Sequence, residues 1–133
     1  MTKIESNKKN INKRIEFVYS FLEDINNLEK IMPDRVVDWQ STSESCYFTI
    51  KGTASLGMKI EEKKPSTFIK LINDGKVPFT FNFLMELAEL DNENTSVQFI
   101  FNADLNPMLK MMAVSPLKNF LNILLDNLSE TNF

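Results

Sequence analysis

FTFNFLMELAELDNENTSVQFIFNAD, residues 79 to 104, decides the fold. Phe79, Phe81, Phe83, Met85 and Leu87 alternate with Thr80, Asn82 and Glu86, and after a turn at Asp91 to Asn94 the pattern resumes. There Val97, Phe99, Phe101 and Ala103 alternate with Gln98 and Asn102. A period of two puts every apolar side chain on one face of a strand and leaves the other face to water, as an antiparallel sheet packed on one side requires. Working back towards Val36, the same period continues, cut by turn signals at Ser41 to Ser45, Gly52 to Ala54, Lys64 to Ser66 and Asp74-Gly75. Six strands of a meander result, with Asp74-Gly75 expected as a tight hairpin because both residues tolerate positive φ. The inward set also takes in Val37 and Trp39; Cys46, Phe48 and Ile50; and Leu56, Met58 and Ile60. Within FIKLI, residues 68 to 72, alternation leaves open whether Phe68 or Ile69 points inward.

Outside this block the period changes to that of a helix. Residues 2 to 9 read as an edge strand, followed by a helical stripe of Val18, Phe21, Leu22 and Ile25 with Asn12 as the expected N-cap. Tyr19, like Tyr47 in the meander, falls on the outward side by period. A second short helix over Asn26 to Met32 stops before Pro33, since the residue preceding proline is pushed out of the α region. At the other end, Leu105, Met108, Leu109, Met112, Leu117, Phe120, Leu121, Leu124 and Leu128 form one stripe of a long helix. Asn106-Pro107 supplies its start, and Ser115-Pro116 implies either a kink or a fresh start. The expected fold is α+β: a curved seven-stranded antiparallel sheet, two short helices between strands 1 and 2, and a long C-terminal helix on the concave face.

Composition limits function more than it specifies it. The 133 residues, 43% hydrophobic and 25% charged, suit one globular domain with a real core. Eleven Phe against two Tyr and one Trp fill that core with aromatic bulk that carries no polar group to satisfy, and seven Met add adaptable side chains. A net charge of −3 and only two arginines, Arg14 and Arg35, exclude the concentrated basic face of a nucleic-acid binder. The Lys8, Lys9, Lys13 and Arg14 group reads as a solvated strand end. The charged start MTKIESNKKNINK has no apolar segment of a secretory signal, and no stretch approaches the ~18 apolar residues of a membrane span. A cytoplasmic location is the default expectation. The lone Cys46 agrees with a reducing compartment.

Catalysis finds little to work with. The chain has no histidine, which removes the usual general base, Ser-His triads and most transition-metal sites. A reactive cysteine needs a neighbouring base or cation to depress its pKa, so Cys46 reads as structural. Glu61, Glu62, Glu86 and Glu89 lie on strands, but spacing brings no two into a shared cleft. No cofactor or metal is expected.

The order strand, two short helices, meander, terminal helix resembles the START-like, helix-grip (SRPBCC) superfamily of polyketide cyclases, lipid-transfer domains and pollen-allergen-type carriers. INKRIEFVYSFLEDINNLEKIMP (11–33) looks like its entry into the first helix pair, FTIKGTASLGMKIEEKKP (48–65) like its central hairpin, and NADLNPMLKMMAVSPLKNFLNILLDNL (102–128) like its gripping helix. Arg14 stands where many relatives carry proline, a difference confined to helix initiation. The resemblance spans nearly the whole chain and implies one such domain over residues 1–133, with a cavity between sheet and helix. It implies no catalytic residues.

The candidate lining is Trp39, Phe48, Met58, Phe81, Phe83, Phe99, Phe101, Met108, Met112 and Phe120, each of which serves equally as ordinary core. Met108, Met111 and Met112 beside Ser115-Pro116 suit a deformable wall. Three readings follow. The first is a carrier or sensor of a small hydrophobic or amphipathic ligand. The second is a cyclase-type enzyme that works by orienting its substrate, which requires a polar group such as Tyr47, Ser115 or a glutamate in the cavity. The third is an interaction module with a filled core and a protein partner, hinted at by Leu84, Ile100, Val114 and Ile123 on otherwise polar faces.

Overall fold

The computed structural model describes residues 1–133. Its elements are β1 (Thr2–Glu5), β2 (Lys9–Ile11), α1 (Ile15–Glu23), a 3-10 helix (Ile25–Ile31), β3 (Val36–Ser41), β4 (Ser45–Ile50), β5 (Ala54–Lys64), β6 (Phe68–Asn73), β7 (Phe81–Asp91), β8 (Asn94–Ala103) and α2 (Pro107–Glu130). All pairings are antiparallel, in the order β1-β8-β7-β6-β5-β4-β3, with β2 also on β8. The sheet is open and eight-stranded rather than seven-stranded, because the expected edge strand over residues 2–9 is two strands. From Glu5 to Lys9 the chain advances four residues while its partner advances three, from Ile100 to Val97. Buried Ser6 fills the break: its N–H donates to the Phe99 carbonyl and its hydroxyl accepts from the Phe99 N–H, both at 2.9 Å.

The meander has the six strands its alternation predicts. Across β7 and β8, Phe81 faces Ala103, Phe83 faces Phe101 and Met85 faces Phe99, so one row of aromatic rings spans the middle of the concave side. Ile69 and Leu71, opposite Met85 and Phe83, are fully buried, which resolves the FIKLI segment in favour of Ile69. In β3 a bulge at Asp38, whose φ is +56°, shifts the register between Val37 and Gln40. Val36 and Trp39 therefore pack on the core, and Val37, expected inward, does not. The Asp74-Gly75 pair is no tight hairpin either. The Asp74 N–H still donates to Gly57 O at 2.8 Å, Pro78 has no N–H to offer a ladder, and the chain rejoins the sheet only at Phe81, whose N–H donates to Asn73 Oδ1 at 3.0 Å. The tight turn is at Asp91 to Asn94, where the Asp91 carboxylate accepts from the Glu93 N–H at 2.8 Å and from Asn94 Nδ2 at 3.0 Å.

Helix α1 starts at Ile15 behind an extended Arg14 with no side-chain cap, so Asn12 is not its N-cap. The helix packs on β6, β7 and β8 through Ile15, Val18, Phe21 and Leu22. Tyr19, expected outward, is 6% exposed, because the buried side of α1 is wider than a single stripe. Asp24 caps the 3-10 helix by accepting from the Asn26 N–H, and Asn127 Nδ2 donates to Ile31 O at 2.8 Å, tying this turn to the end of α2.

Helix α2 is a single helix of 24 residues, capped by Asn106, whose side chain accepts from the Leu109 N–H at 2.9 Å. Pro116 sits inside it without starting a new helix. Of the expected inward stripe before that proline, only Leu105 packs on the core. Phe120, Leu121, Leu124, Leu125 and Leu128 are buried, whereas Met108, Met111 and Met112 are 71%, 87% and 68% exposed and Leu109 is also exposed. At 3.6 residues per turn Met108 and Met112 lie about 160° and 120° around the helix from Leu124, and Val114 and Leu117 take the inward side instead. On the convex side Ile100 is buried between Glu5 and Leu84 across the ladder, away from the helices.

Gly57 is the tightest point of the meander. A Cβ placed there meets the Asp74 carbonyl oxygen and lies 2.7 Å from the Tyr47 ring. Gly57→Ala is expected to lower stability by about 1–3 kcal/mol, the usual range for overpacking. A urea unfolding curve reads this directly, and an unchanged midpoint shows that the 74–80 connection and Tyr47 yield freely.

Candidate functional site

Two apolar spaces adjoin where α2 crosses the sheet. The inner one is a void of about 30 Å³, one water's worth, walled by Phe48, Ile50 and Met58 of the β4–β5 hairpin, Phe83 and Phe101 of the central strands, Met32, and Leu117, Phe120, Leu121 and Leu124 of α2. Every lining residue is hydrophobic, so a water there finds no partner and the void is dry. The outer space is a groove of about 340 Å³ between the first half of α2 and the β4–β5 turn. Leu109, Met112, Ala113 and Pro116 form one wall, Gly52 and Thr53 the other, and Arg35 stands over it. Ile50, Leu117 and Phe120 line both spaces, so the floor of the groove is the wall of the void.

The sequence-derived lining divides into four groups. Phe48, Met58, Phe83, Phe101 and Phe120 surround the void, and Met112 joins Phe120 in the groove. Trp39 stacks on Phe48 with ring centroids 5.2 Å apart and donates its indole N–H to Ser41 Oγ at 2.9 Å, standing one layer behind the void. Phe81 and Phe99 are fully buried, Phe81 stacked on Phe101 at 5.0 Å and Phe99 edge-on to Phe83 at 5.3 Å, and they line neither space. Met108, on the expected inward stripe, faces water and lines neither space.

Ile50 and Leu117, which join the two spaces, carried the right period but were not singled out as lining. Arg35 had no signal at all. It lies in the turn before β3, and its Cζ is 5.1 Å from the centroid of the Phe120 ring, a contact across 85 residues that no local pattern announces.

The site offers little to acid–base chemistry. Neither Tyr47 nor Ser115 lines either space; Tyr47 is on the surface, its hydroxyl donating to Lys76 O at 3.3 Å. No three His, Cys, Asp or Glu side chains come together. The Lys63–Glu23 pair at 3.0 Å raises the Lys63 pKa through its hydrogen bond, and burial, then Glu23, raises that of Tyr19, but these residues belong to the α1 side of the fold. A larger hollow of about 680 Å³ between the start of α1 and the β7–β8 turn is lined by Asn12, Lys13, Arg14, Glu93 and Asn94, with only Phe17 and Phe133 apolar. It lacks the continuous apolar wall of a ligand pocket.

No protein-family model matches the sequence, and no curated protein matches it. Solved structures do. The chain resembles XoxI from Bacillus cereus with a TM-score of 0.79 at 12% identity, over 98% of this chain and 94% of that one. A conserved protein from Geobacillus kaustophilus gives 0.74 at 14%, over 96% and 92%. The Aha1 dimer from Colwellia psychrerythraea gives 0.68 at 18%, over 97% of each chain. At such identities the likeness establishes a shared fold, a sheet with a C-terminal helix, and nothing more. No helix of the chain is long and apolar enough to cross a membrane.

Burial pushes the Cys46 thiol from its ordinary 9.0 up to about 12. The thiol therefore stays protonated in the folded chain where the unfolded chain loses its proton. The folded state binds more protons between about pH 9 and pH 12, and stability falls as pH rises through that window. Cys46 is expected to react with a disulfide reagent at pH 8 only as fast as the chain unfolds, and to react at once in denaturant. Rapid labelling of the native protein contradicts this.

Proposed function

We propose that the protein is a START-like, helix-grip domain over residues 1–133 that binds a small hydrophobic or amphipathic molecule between its sheet and α2, as a cytoplasmic carrier or sensor. The observation that carries the reading is the shared floor: an open groove rimmed by exposed Leu109 and Met112 runs onto Ile50, Leu117 and Phe120, behind which lies a dry apolar void. Apolar surface held in water gains about 25 cal/mol per Å² when a ligand covers it. The groove volume of about 340 Å³ falls within the range of small-molecule sites. Met32, Met58 and Met112 are the side chains best able to repack around an entering tail, being unbranched and soft.

A second reading rests on the other side of the same helix. Met111 is the most exposed apolar residue of the chain and lines neither space, which suits contact with a protein partner. The cyclase alternative has less support, since neither Tyr47, Ser115 nor a glutamate lines the groove or the void.

The test is a titration with N-phenyl-1-naphthylamine, a neutral dye that brightens in apolar surroundings. Leu117→Trp, which fills the junction of groove and void, is expected to weaken binding at least tenfold with little change in melting temperature, and Met111→Lys is expected to leave it intact. Equal affinity in folded Leu117→Trp removes the groove as the site; loss of binding in Met111→Lys moves the activity to the outer face of α2.

A further inference from the structure

We infer that the ligand is a single-chain amphiphile with one negative charge, its carboxylate seated on Arg35 and its tail running over Leu117 and Phe120 towards the void; the inference rests on the groove reading above. Of the groove's ten lining residues only Arg35 is charged, and Thr53 adds the one side-chain hydroxyl. The rest of the wall is apolar apart from Gly52. A ligand that fills this space meets mainly apolar side chains and one cation.

Arg35 is free to act as that seat. The five ion pairs of the chain use Lys3, Lys9, Lys59, Lys63 and Lys70, and none uses an arginine. The guanidinium instead lies over the Phe120 ring. With no carboxylate of the chain paired to it, the guanidinium keeps its N–H donors available for a bidentate carboxylate from a ligand. The turn that carries it is fixed, because Arg35 O accepts from the Lys51 N–H at 2.9 Å and the Val36 N–H donates to Pro33 O at 3.0 Å. The position of the cation is thus set by the strand entry on one side and by the floor of the groove on the other. With a net charge of −3 the chain as a whole repels anions, so selective uptake of one requires a local seat of this kind.

The experiment titrates the native chain with laurate and with dodecan-1-ol, which share a tail length and differ in head group. Fluorescence of Trp39, the only tryptophan, reports occupancy beside Phe48, and native mass spectrometry gives stoichiometry. One laurate per chain is expected, bound about tenfold more tightly than dodecan-1-ol, the order of the gain of a charged over a neutral hydrogen bond. Arg35→Gln is expected to abolish that preference while dodecan-1-ol binding persists. Lys64→Gln, an equal change in net charge at the far end of β5, is expected to change laurate affinity less than twofold. Arg35→Met, which keeps the stem over Phe120 and removes the cation, gives the same reading if Arg35→Gln perturbs folding. A laurate preference that survives both Arg35 variants overturns the seat and leaves the groove reading standing. If neither amphiphile binds, the groove reading itself falls. Association with phosphatidylglycerol vesicles without uptake of dispersed laurate also overturns the proposal, because it makes the occupant a membrane surface.

Discussion

The packing of the β7–β8 aromatic row against the second half of α2 is the contact on which the other elements depend. Phe83 and Phe101 face each other across the ladder, and Phe81 and Phe99 lock them from either side. Phe120, Leu121 and Leu124 close over this row from the helix, completing the apolar wall around the void. Burying a large apolar side chain stabilises by about 1.5–3 kcal/mol, so this cluster is a major part of what holds sheet and helix together. Before Pro116 only Leu105 and Val114 still pack on the core, while Leu109, Met112 and Ala113 face Gly52 and Thr53 across the groove.

How far this architecture was legible depends on how local each signal is. Strict alternation in residues 79–104 made the faces of β7 and β8 readable, and the Asn106 cap with Pro107 marked the start of α2. Helical period, by contrast, says which residues share a stripe but not how much of the stripe has a partner. Leu109 lies within about 60° of Leu124 around the helix and is nonetheless exposed, while Met108 and Met112, about 160° and 120° from it, fall outside the stripe altogether. The Asp38 bulge inverted the expected face of Val37, and nothing in VVDWQ distinguishes a strand with an inserted residue from one without. Ser6 is a similar case: a serine hydroxyl standing inside the ladder where the strand breaks has no counterpart in a hydropathy pattern.

The candidate site shows the same division. Its aromatic walls came from strand alternation and were readable as apolar face, though alternation did not separate Phe83 and Phe101, which border the void, from Phe81 and Phe99, which are packed solid. Its polar feature came from tertiary proximity. Arg35 meets Phe120 because the turn before β3 and the middle of α2 converge at one end of the sheet, a consequence of the strand order rather than of any motif.

Pro116 sets where α2 bends. A proline inside a helix withdraws the N–H that would bond the carbonyl four residues back, here that of Met112. The helix is then held at both ends, by the residues from Phe120 onward on the core and by Leu105 and the short link to β8 at its start, with the point of reduced bending stiffness between them. Leu109, Met112 and Ala113 flank the groove and adjoin that proline, so the groove wall is the stretch of the helix where bending costs least.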